Sequence, residues 1–209
     1  IRNTIKVMGG EDWILWIKAL KEAGVLADGA KTVAYSYIGP ELTYPIYKEG
    51  SIGQAKKDLY ASADKIQAEI DGVEAYVSVN KAVVTQSSAA IPIVPLYLAI
   101  LFKVMKEQKV QEGCIEQMYR MFHDRLCNGG AVVTDENRLI RMDDWEMEPK
   151  VQEAVAEIWQ KIDQDNLEEV TDLEGYWQEF YEIFGFRIDG VDYSADVDAD
   201  VQIPSIAAE

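Results

Sequence analysis

Apolar residues recur at helical spacing in two stretches near the start of the chain. Trp13, Trp16 and Leu20 share one face of a helix predicted over residues 11–22. A longer helix is predicted over residues 52–70, and it needs a buried face of its own. Its inward-facing apolar positions are Leu59, Ala63, Ile66 and Ile70.

Two β-rich stretches alternate with these helices. Residues 31–38 and 74–84 are rich in β-branched and aromatic side chains, and Gly39-Pro40 ends the first of them. Helix, strand, helix, strand is the order that contains a βαβ unit, whose strands are parallel and whose crossover is right-handed. The pattern therefore predicts an α/β fold with a parallel sheet.

The second half of the chain is predicted to be mainly helical. Helices are expected over four ranges, residues 93–106, 112–126, 149–162 and 172–184. Pro149 suits the first position of the third helix, and Thr171 and Glu174 have capping-box spacing before the fourth. Between the second and third helices, residues 131–133 and 138–142 are expected to pair as a small β-hairpin.

Composition narrows the class of partner. The chain has 209 residues, of which 48% are hydrophobic, enough to bury a sizeable core. Its formal net charge of −17 argues against nucleic acid and anionic membrane surfaces, which both attract basic faces. The apolar run over residues 89–105 contains Pro92, Pro95 and Lys103, so a buried helix is favoured over a membrane span.

Cations for a phosphate-bearing ligand are scarce in so acidic a chain. A solvated helix face is the favoured explanation of the available candidates. These candidates are Lys103, Lys106, Lys109, Arg120 and Arg125.

Few residues suggest metal or redox chemistry. Cys114 and Cys127 form neither a disulfide framework nor a metal motif. Asp196, Asp198 and Asp200 resemble the opening of a calcium loop, but the sixth position lacks its glycine, so no metal is expected. Two thiols suit a reducing compartment. We expect the cytoplasm, with an organelle as the alternative, and any targeting segment would precede Ile1.

One tyrosine–lysine pair stands out because of its position among these elements. Ser51 and Gln54 have capping-box spacing, which predicts that the 52–70 helix begins directly after Ser51. Tyr47 then lies on the loop before the helix, and Lys56 lies on its second turn. This is a proton-donor arrangement, because the lysine charge lowers the pKa of the phenol and its ammonium also binds the ribose of a nicotinamide cofactor.

The predicted topology brings neighbours to this pair. Ligands of parallel α/β sheets bind beyond the carboxyl ends of the strands. Tyr37 and Thr85 lie at the ends of the two predicted strands, so both are expected at one edge with Tyr47 and Lys56. Contact within the pair requires the loop 48–50 to fold back, which would place the two side-chain ends within about 8 Å.

Six short motifs spread along the chain add a family resemblance. They are Val7-Met8-Gly9-Gly10-Glu11-Asp12-Trp13, Ala34-Tyr35-Ser36-Tyr37-Ile38-Gly39-Pro40-Glu41, Val77-Ser78-Val79-Asn80-Lys81, Gly113-Cys114-Ile115-Glu116-Gln117, Asp143-Asp144-Trp145-Glu146 and Ile188-Asp189-Gly190-Val191-Asp192-Tyr193. Together they closely resemble the trans-2-enoyl-CoA reductases and the related enoyl-ACP reductases with a Tyr-x8-Lys motif. These enzymes are extended relatives of the short-chain dehydrogenases, and the resemblance covers about residues 7–201.

The resemblance implies a fold and a role for particular residues. The fold is part of a Rossmann-like parallel sheet of the extended short-chain dehydrogenase type, with added helices. Tyr47 takes the position of the catalytic proton donor, Lys56 that of the catalytic, cofactor-binding lysine, and Tyr37 that of a substrate-binding tyrosine. Further cofactor-binding positions fall on Val83, Val84 and Thr85. Core packing explains the two valines equally well.

The resemblance also implies a reaction. It is the NAD(P)H-dependent reduction of the 2,3 double bond of trans-2-enoyl thioesters, carried by CoA or acyl-carrier protein, in fatty acid synthesis. NADH is the expected cofactor, with NADPH possible. Tyr47 donates a proton to the enolate, and Tyr37 assists. The prolines and apolar side chains of residues 87–97 suit an acyl-pocket wall and ordinary core packing equally well. Two alternatives stay open, a non-catalytic structural or interaction half-domain and a carbonyl or alcohol dehydrogenase with the same Tyr–Lys chemistry.

The chain is short for this family. Its members are about twice as long and carry a Gly-rich dinucleotide loop in their first half. Gly9-Gly10 lacks a convincing preceding strand and a third glycine. Residues 1–209 are therefore expected to be the C-terminal, catalytic and substrate-side half of a single reductase domain, whose partner is the absent N-terminal half.

Overall fold

Three parallel strands form the sheet in the computed structural model, which describes residues 1–91 and 93–200. Within this part of the chain the strand order is β1-β2-β3. The strands are β1 (Ala30–Ser36), β2 (Val73–Val79) and β3 (Leu139–Arg141). Ala30 pairs with Val73 and Ser36 with Val79, so β1 and β2 are in register over their whole length. The predicted parallel α/β unit is confirmed.

The predicted hairpin is wrong. Residues 131–133 are irregular, and Leu139–Arg141 pairs with Val77–Val79 as a third parallel strand. An isolated two-stranded hairpin is marginally stable, whereas this pairing extends an existing sheet. The side chain of Asp135 also accepts a hydrogen bond from the backbone N–H of Leu139, which fixes the entry into β3.

Ten α-helices accompany the sheet in the described residues. They are α1 (Arg2–Met8), α2 (Glu11–Glu22), α3 (Tyr44–Tyr47), α4 (Ser51–Glu69), α5 (Gln86–Ala89), α6 (Val94–Glu107), α7 (Cys114–Arg120), α8 (Pro149–Lys161), α9 (Leu167–Val170) and α10 (Leu173–Glu182). A π-helical segment, Met121–Leu126, continues α7. The predicted helices are thus confirmed, with small differences at their ends.

Both predicted capping boxes are wrong. Gly50 is the N-cap of α4, so Ser51 is already inside the helix. At α10 the N-cap is Asp172, whose side chain accepts a hydrogen bond from the N–H of Gly175. Spacing alone misplaced each cap by one residue, which is the usual uncertainty of a helix boundary.

The side chains of the sheet divide the core. On one face, Val73, Ala75, Val77 and Val79 pack with Ile17 of α2 and with the buried side of α4. This alternation places every second residue of β2 on the same face. A separate cluster joins Ile140 and Met142 to the π-helical segment. The largest cluster surrounds α6 and includes residues of α8 and α10.

Helix α6 is a buried element of this core, as its apolar sequence predicted. Leu98, Ala99, Ile100, Leu101 and Phe102 are all buried. In the described ranges, no helix has both the length and the apolar character needed to cross a bilayer.

Candidate active site

Tyr47 and Lys56 meet beside the carboxyl ends of β1 and β2. Tyr47 is the last residue of α3 rather than a loop residue, and Lys56 lies near the start of α4. A Cβ at Gly53 would collide with the carbonyl oxygen of Lys48, so the tight return of the chain requires glycine at this position. The Nζ atom of Lys56 lies 4.7 Å from the centroid of the Tyr47 ring, which confirms the expected proximity.

Tyr37 completes this group directly after β1. Its ring packs edge-to-face on that of Tyr47, with 4.9 Å between the centroids. The Nζ atom of Lys56 lies 5.7 Å from the centroid of the Tyr37 ring. Gly39 has a φ of 72°, and a Cβ there would collide with the Tyr37 side chain. The Gly39-Pro40 turn therefore both ends the strand and leaves room for the phenol.

A cavity of about 340 Å³ gathers most of the predicted residues. Five of the six line it, namely Tyr37, Tyr47, Lys56, Val83 and Thr85. The structure does not bring the side chain of Val84 into the cavity, because it packs in the core around α6. The segment predicted as an acyl wall contributes Ser87, Ser88, Ile91, Val94 and Tyr97 to the lining.

The ammonium of Lys56 is the unusual group of this cavity. Its Nζ atom is buried and makes no hydrogen bond to a described residue. Burial lowers the pKa of Lys56 to about 8, because a low-dielectric surrounding disfavours the charged form. At neutral pH the side chain still carries its proton, and it has hydrogen-bond donors to offer to a bound molecule.

The pKa of the Tyr47 phenol is shifted by burial rather than by the charge of Lys56. Burial raises the pKa of Tyr47, so the expectation that Lys56 lowers this pKa is wrong. The ammonium lies near the ring, and burial alone accounts for the direction of the shift. Tyr47 consequently remains a protonated phenol at neutral pH, which is the form that a proton donor needs.

A buried carboxylate lies behind the cavity wall. The hydroxyl of Tyr37 donates to Glu146 Oε1 at 2.9 Å, and the hydroxyl of Tyr97 donates to the same oxygen at 2.6 Å. Burial and the charge of Glu146 raise the pKa of Tyr37 well above its usual value. The Tyr37 hydrogen is engaged with Glu146 in this structure, and the expected role of Tyr37 as an assistant to Tyr47 stays a prediction.

Sequence reasoning assigned no role to three residues of this site. Asn80 and Lys81 line the cavity because β2 ends at Val79, whereas the strand predicted over residues 74–84 enclosed both of them. Glu146 comes from a distant part of the chain, and no local pattern indicates that it contacts Tyr37.

Most of the candidate phosphate-binding cations are already ion-paired. Lys103 contacts Glu107 on its own helix, as a solvated helix face predicts. The other pairs are Lys106 with Asp172, Arg120 with Glu112 and Asp144, and Arg125 with Asp144. These four side chains therefore do not assemble a phosphate site.

Two other cavities lack a tyrosine–lysine pair among their lining residues. A larger cavity of about 490 Å³ lies against α8, and its ionisable side chains are Glu41 and Tyr44. Among residues 1–91 and 93–200, no group of three or more His, Cys, Asp or Glu side chains is arranged to hold a metal ion. The cavity at the carboxyl ends of the strands is therefore the best candidate for catalysis.

An α/β fold with a half-buried tyrosine–lysine pair at the strand ends agrees with the class of protein that the motifs suggested. Residues 1–127 match the family model described as "Trans-2-enoyl-CoA reductase catalytic region". Residues 134–197 match a second model, described as "Enoyl reductase FAD binding domain". The chain belongs to the trans-2-enoyl-CoA reductase family.

Relatives and solved structures agree with this family. The trans-2-enoyl-CoA reductase [NADH] of Ruminiclostridium cellulolyticum is 55% identical over 99% of this chain and 52% of its own length. The enoyl-[acyl-carrier-protein] reductase [NADH] of Psychromonas ingrahamii is 54% identical over 99% of this chain and 53% of its own length. The crystal structure of Treponema denticola trans-2-enoyl-CoA reductase in complex with NAD is 50% identical, with a TM-score of 0.89, over 92% of this chain and 49% of that one. The chain spans about half the length of these relatives.

A flavin appears in the name of the second model. Four of the five cations in its matched range are ion-paired with carboxylates. These residues are Arg138, Arg141, Lys150 and Arg187. We derive no step through a flavin.

Proposed function

We propose that this chain is the C-terminal, catalytic and substrate-side half of an NADH-dependent reductase of trans-2-enoyl thioesters. The proposed reaction reduces the 2,3 double bond of an enoyl group carried by CoA or acyl-carrier protein, in fatty acid synthesis. The names of the relatives and the NAD in the Treponema denticola structure support the cofactor and the substrate class. The exposed, unpaired thiols of Cys114 and Cys127 support a cytoplasmic location.

The observation that carries this proposal is the shared cavity of Tyr47 and Lys56. The Lys56 ammonium is buried without a hydrogen-bond acceptor among the described residues, and a ribose hydroxyl would supply one. The residues present therefore fit NADH, with Lys56, Val83 and Thr85 as its contacts on this chain.

The proposed chemistry makes the hydroxyl of Tyr47 the source of the transferred proton. When bound, NADH supplies a hydride to the β-carbon of the enoyl group, and the electron pair of the double bond moves to the thioester as an enolate. Tyr47 then gives its hydroxyl proton to the α-carbon of this enolate, which yields the saturated thioester, and the phenolate recovers a proton from solvent. Lys56 holds a positive charge beside the developing negative charge, and such fixed charges stabilise it most when water is excluded.

The test uses the complete reductase, which we define as this chain together with its N-terminal half. Crotonyl-CoA should drive NADH oxidation, whereas simple carbonyl compounds and alcohols should not react. No turnover with crotonyl-CoA would favour a non-catalytic half-domain, and turnover with carbonyl compounds alone would favour a dehydrogenase.

Replacement of Tyr47 tests the assigned donor. Tyr47→Phe keeps the ring and removes only the hydroxyl, so kcat should fall about 10²-fold or more with little change in stability. Tyr44→Phe is the matched control, because Tyr44 lies on the same short helix but outside this cavity. Equal kcat values for the two variants would remove Tyr47 from the mechanism.

The open edge of β1 supports the proposal that an N-terminal half packs against this chain. In the described residues β1 pairs with β2 on one side, and the sheet order leaves its other edge without a strand. An open seven-residue edge is a ready pairing site, which natural proteins usually cover. We place the N-terminal half of the reductase along this edge.

Separation of the two halves should therefore abolish cofactor binding. Calorimetric titration of NADH into the isolated 209-residue chain should show no measurable binding, and the chain should not behave as a well-folded monomer. The N-terminal half, added as a separate chain, should restore both. Micromolar binding and a cooperative melt without any partner would contradict the half-domain assignment.

A further inference from the structure

The buried carboxylate of Glu146 contacts the wall of the catalytic cavity in an unusual way. Its Oε1 atom accepts hydrogen bonds from the hydroxyls of Tyr37 and Tyr97. Its Oε2 atom accepts a hydrogen bond of 2.7 Å from the backbone N–H of Ala82. These three partners line the cavity, whereas Glu146 itself lies behind it and is inaccessible to solvent.

The three partners come from separate parts of the fold. Tyr37 follows β1, Ala82 follows β2, and Tyr97 belongs to α6. One side chain therefore joins three segments whose mutual distances set the shape of the cavity. A carboxylate suits this position, because only its ionised form accepts hydrogen bonds on both oxygens and donates none.

Neighbouring groups favour the ionised form of Glu146. The ammonium of Lys81 is buried nearby and donates to the carbonyl oxygen of Ala82 at 2.9 Å. Burial raises the pKa of Glu146, while its hydrogen bonds and the charge of Lys81 oppose that shift. Gln152 donates to the backbone carbonyl of Glu146 at 2.7 Å and so fixes the main chain as well.

We propose that Glu146 is a positioning residue of the active site, which orients the Tyr37 phenol and the segment after β2 around the reacting thioester. This inference rests on the proposed reductase function. Glu146 directs the hydroxyl hydrogen of Tyr37 away from the cavity, so the phenol oxygen presents only lone pairs to the substrate side. Tyr47 is then the donor that faces the enolate, and the two tyrosines do not compete for it.

The test replaces Glu146 by its neutral isostere in the complete reductase. Glu146→Gln has one acceptor oxygen and one NH2 group. With the NH2 group towards Ala82, two donors face each other; with it towards the tyrosines, it donates to their hydroxyl oxygens and no longer holds the hydroxyl hydrogen of Tyr37. Displacement of catalytic groups by a fraction of an ångström is costly, and kcat should fall about tenfold or more. Glu112→Gln is the matched control, because Glu112 is also a buried carboxylate but pairs with Arg120 outside the cavity. Glu112→Gln should keep kcat within about twofold of the wild type. A kcat change of this size is what a purely structural effect of losing a buried carboxylate would give.

A double-mutant cycle separates positioning from general stability. If Glu146 acts partly through Tyr37, then Glu146→Gln should have a smaller effect on kcat in a Tyr37→Phe background than in the wild type. An equal effect in both backgrounds would overturn the inference, and so would a kcat of Glu146→Gln within about twofold of the wild type. An inactive wild type would instead contradict the proposed function itself.

A milder variant keeps the inference testable if Glu146→Gln does not fold. Tyr97→Phe removes one of the two donors to Oε1 and leaves the carboxylate in place. The kcat of Tyr97→Phe should fall about threefold, in line with the loss of one hydrogen bond, with an unfolding midpoint close to that of the wild type. An unchanged kcat in this variant would also overturn the inference.

Discussion

Two half-buried cations, Lys56 and Arg120, are satisfied in opposite ways. All three guanidinium nitrogens of Arg120 donate hydrogen bonds, to the carboxylates of Glu112 and Asp144 and to the carbonyl oxygen of Met142. The ammonium of Lys56 makes no hydrogen bond to a described residue and faces two tyrosine rings. The chain has many acidic side chains, yet none of them forms a salt bridge with Lys56 in the described residues.

The difference distinguishes a cation that stabilises the fold, Arg120, from a cation that is available to a ligand, Lys56. A buried cation without a partner costs free energy, so a fold tolerates it where a bound molecule completes its contacts. Arg120 has already used its donors within the protein and has none to offer a ligand. This contrast corrects the sequence-based interpretation of Arg120 as a phosphate-binding candidate and strengthens that of Lys56.

The largest expected effect on folding stability comes from replacing Arg120, the cation whose donors are all used within the protein. Arg120→Met leaves the buried carboxylate of Glu112 without its partner, and the loss of one member of a buried pair costs about 3–5 kcal/mol. Arg138→Met is the control, because Arg138 and Asp64 form an exposed pair and should contribute about 1 kcal/mol or less. Urea unfolding of both variants measures the difference. Equal losses of stability in the two variants would show that the buried pair of Arg120 contributes no more than the exposed pair of Arg138.

Removal of the unpaired cation should have the opposite sign. Lys56→Met deletes a buried charge but no hydrogen bond within the described structure. The free energy of unfolding at neutral pH should stay the same or rise by about 1 kcal/mol, while the reductase activity falls. A loss of stability as large as that of Arg120→Met would show that Lys56 has a structural partner instead.

The pH dependence of stability sharpens the same point. The pKa of Lys56 is about 8, below its ordinary 10.5, so between these values the unfolded chain holds more protons on this residue than the folded chain. Stability should therefore rise with pH above 8, by at most about 1.4 kcal/mol per pH unit. Unfolding curves at several values between pH 7.5 and 9.5 should show this contribution in the wild type without NADH. Its presence in Lys56→Met would assign it to another group.

Local patterns predicted the elements that depend on local spacing. Helix α4 and its flanking strands were recognisable because the apolar residues of α4 recur at a helical period and both strands are β-rich. The pairing of β3 was not recognisable, because a three-residue strand carries no register of its own. The free edge of β2 decides that pairing, and β2 lies about 60 residues earlier in the chain.

The candidate site follows the same division. Tyr37 directly follows β1 and Lys56 lies near the start of α4, so topology predicted that they converge. Thr85 reaches the cavity as the N-cap of α5, because β2 ends at Val79 and not near residue 84 as predicted. The pKa of Tyr47 was mispredicted, because the effect of burial depends on packing that the sequence does not display. The contact of Glu146 with Tyr37 likewise depends on how distant segments pack together.

Cofactor affinity tests the central claim most directly, namely that the unpaired ammonium of Lys56 binds NADH. Calorimetric titration of NADH should compare the complete reductase with its Lys56→Met and Lys65→Met variants. Lys65 lies on the same helix but is exposed and outside the cavity. The account predicts that Lys56→Met raises the Kd for NADH about tenfold or more, as expected for a lost charge-assisted hydrogen bond, while Lys65→Met leaves it within about twofold. Wild-type affinity in Lys56→Met would contradict the account.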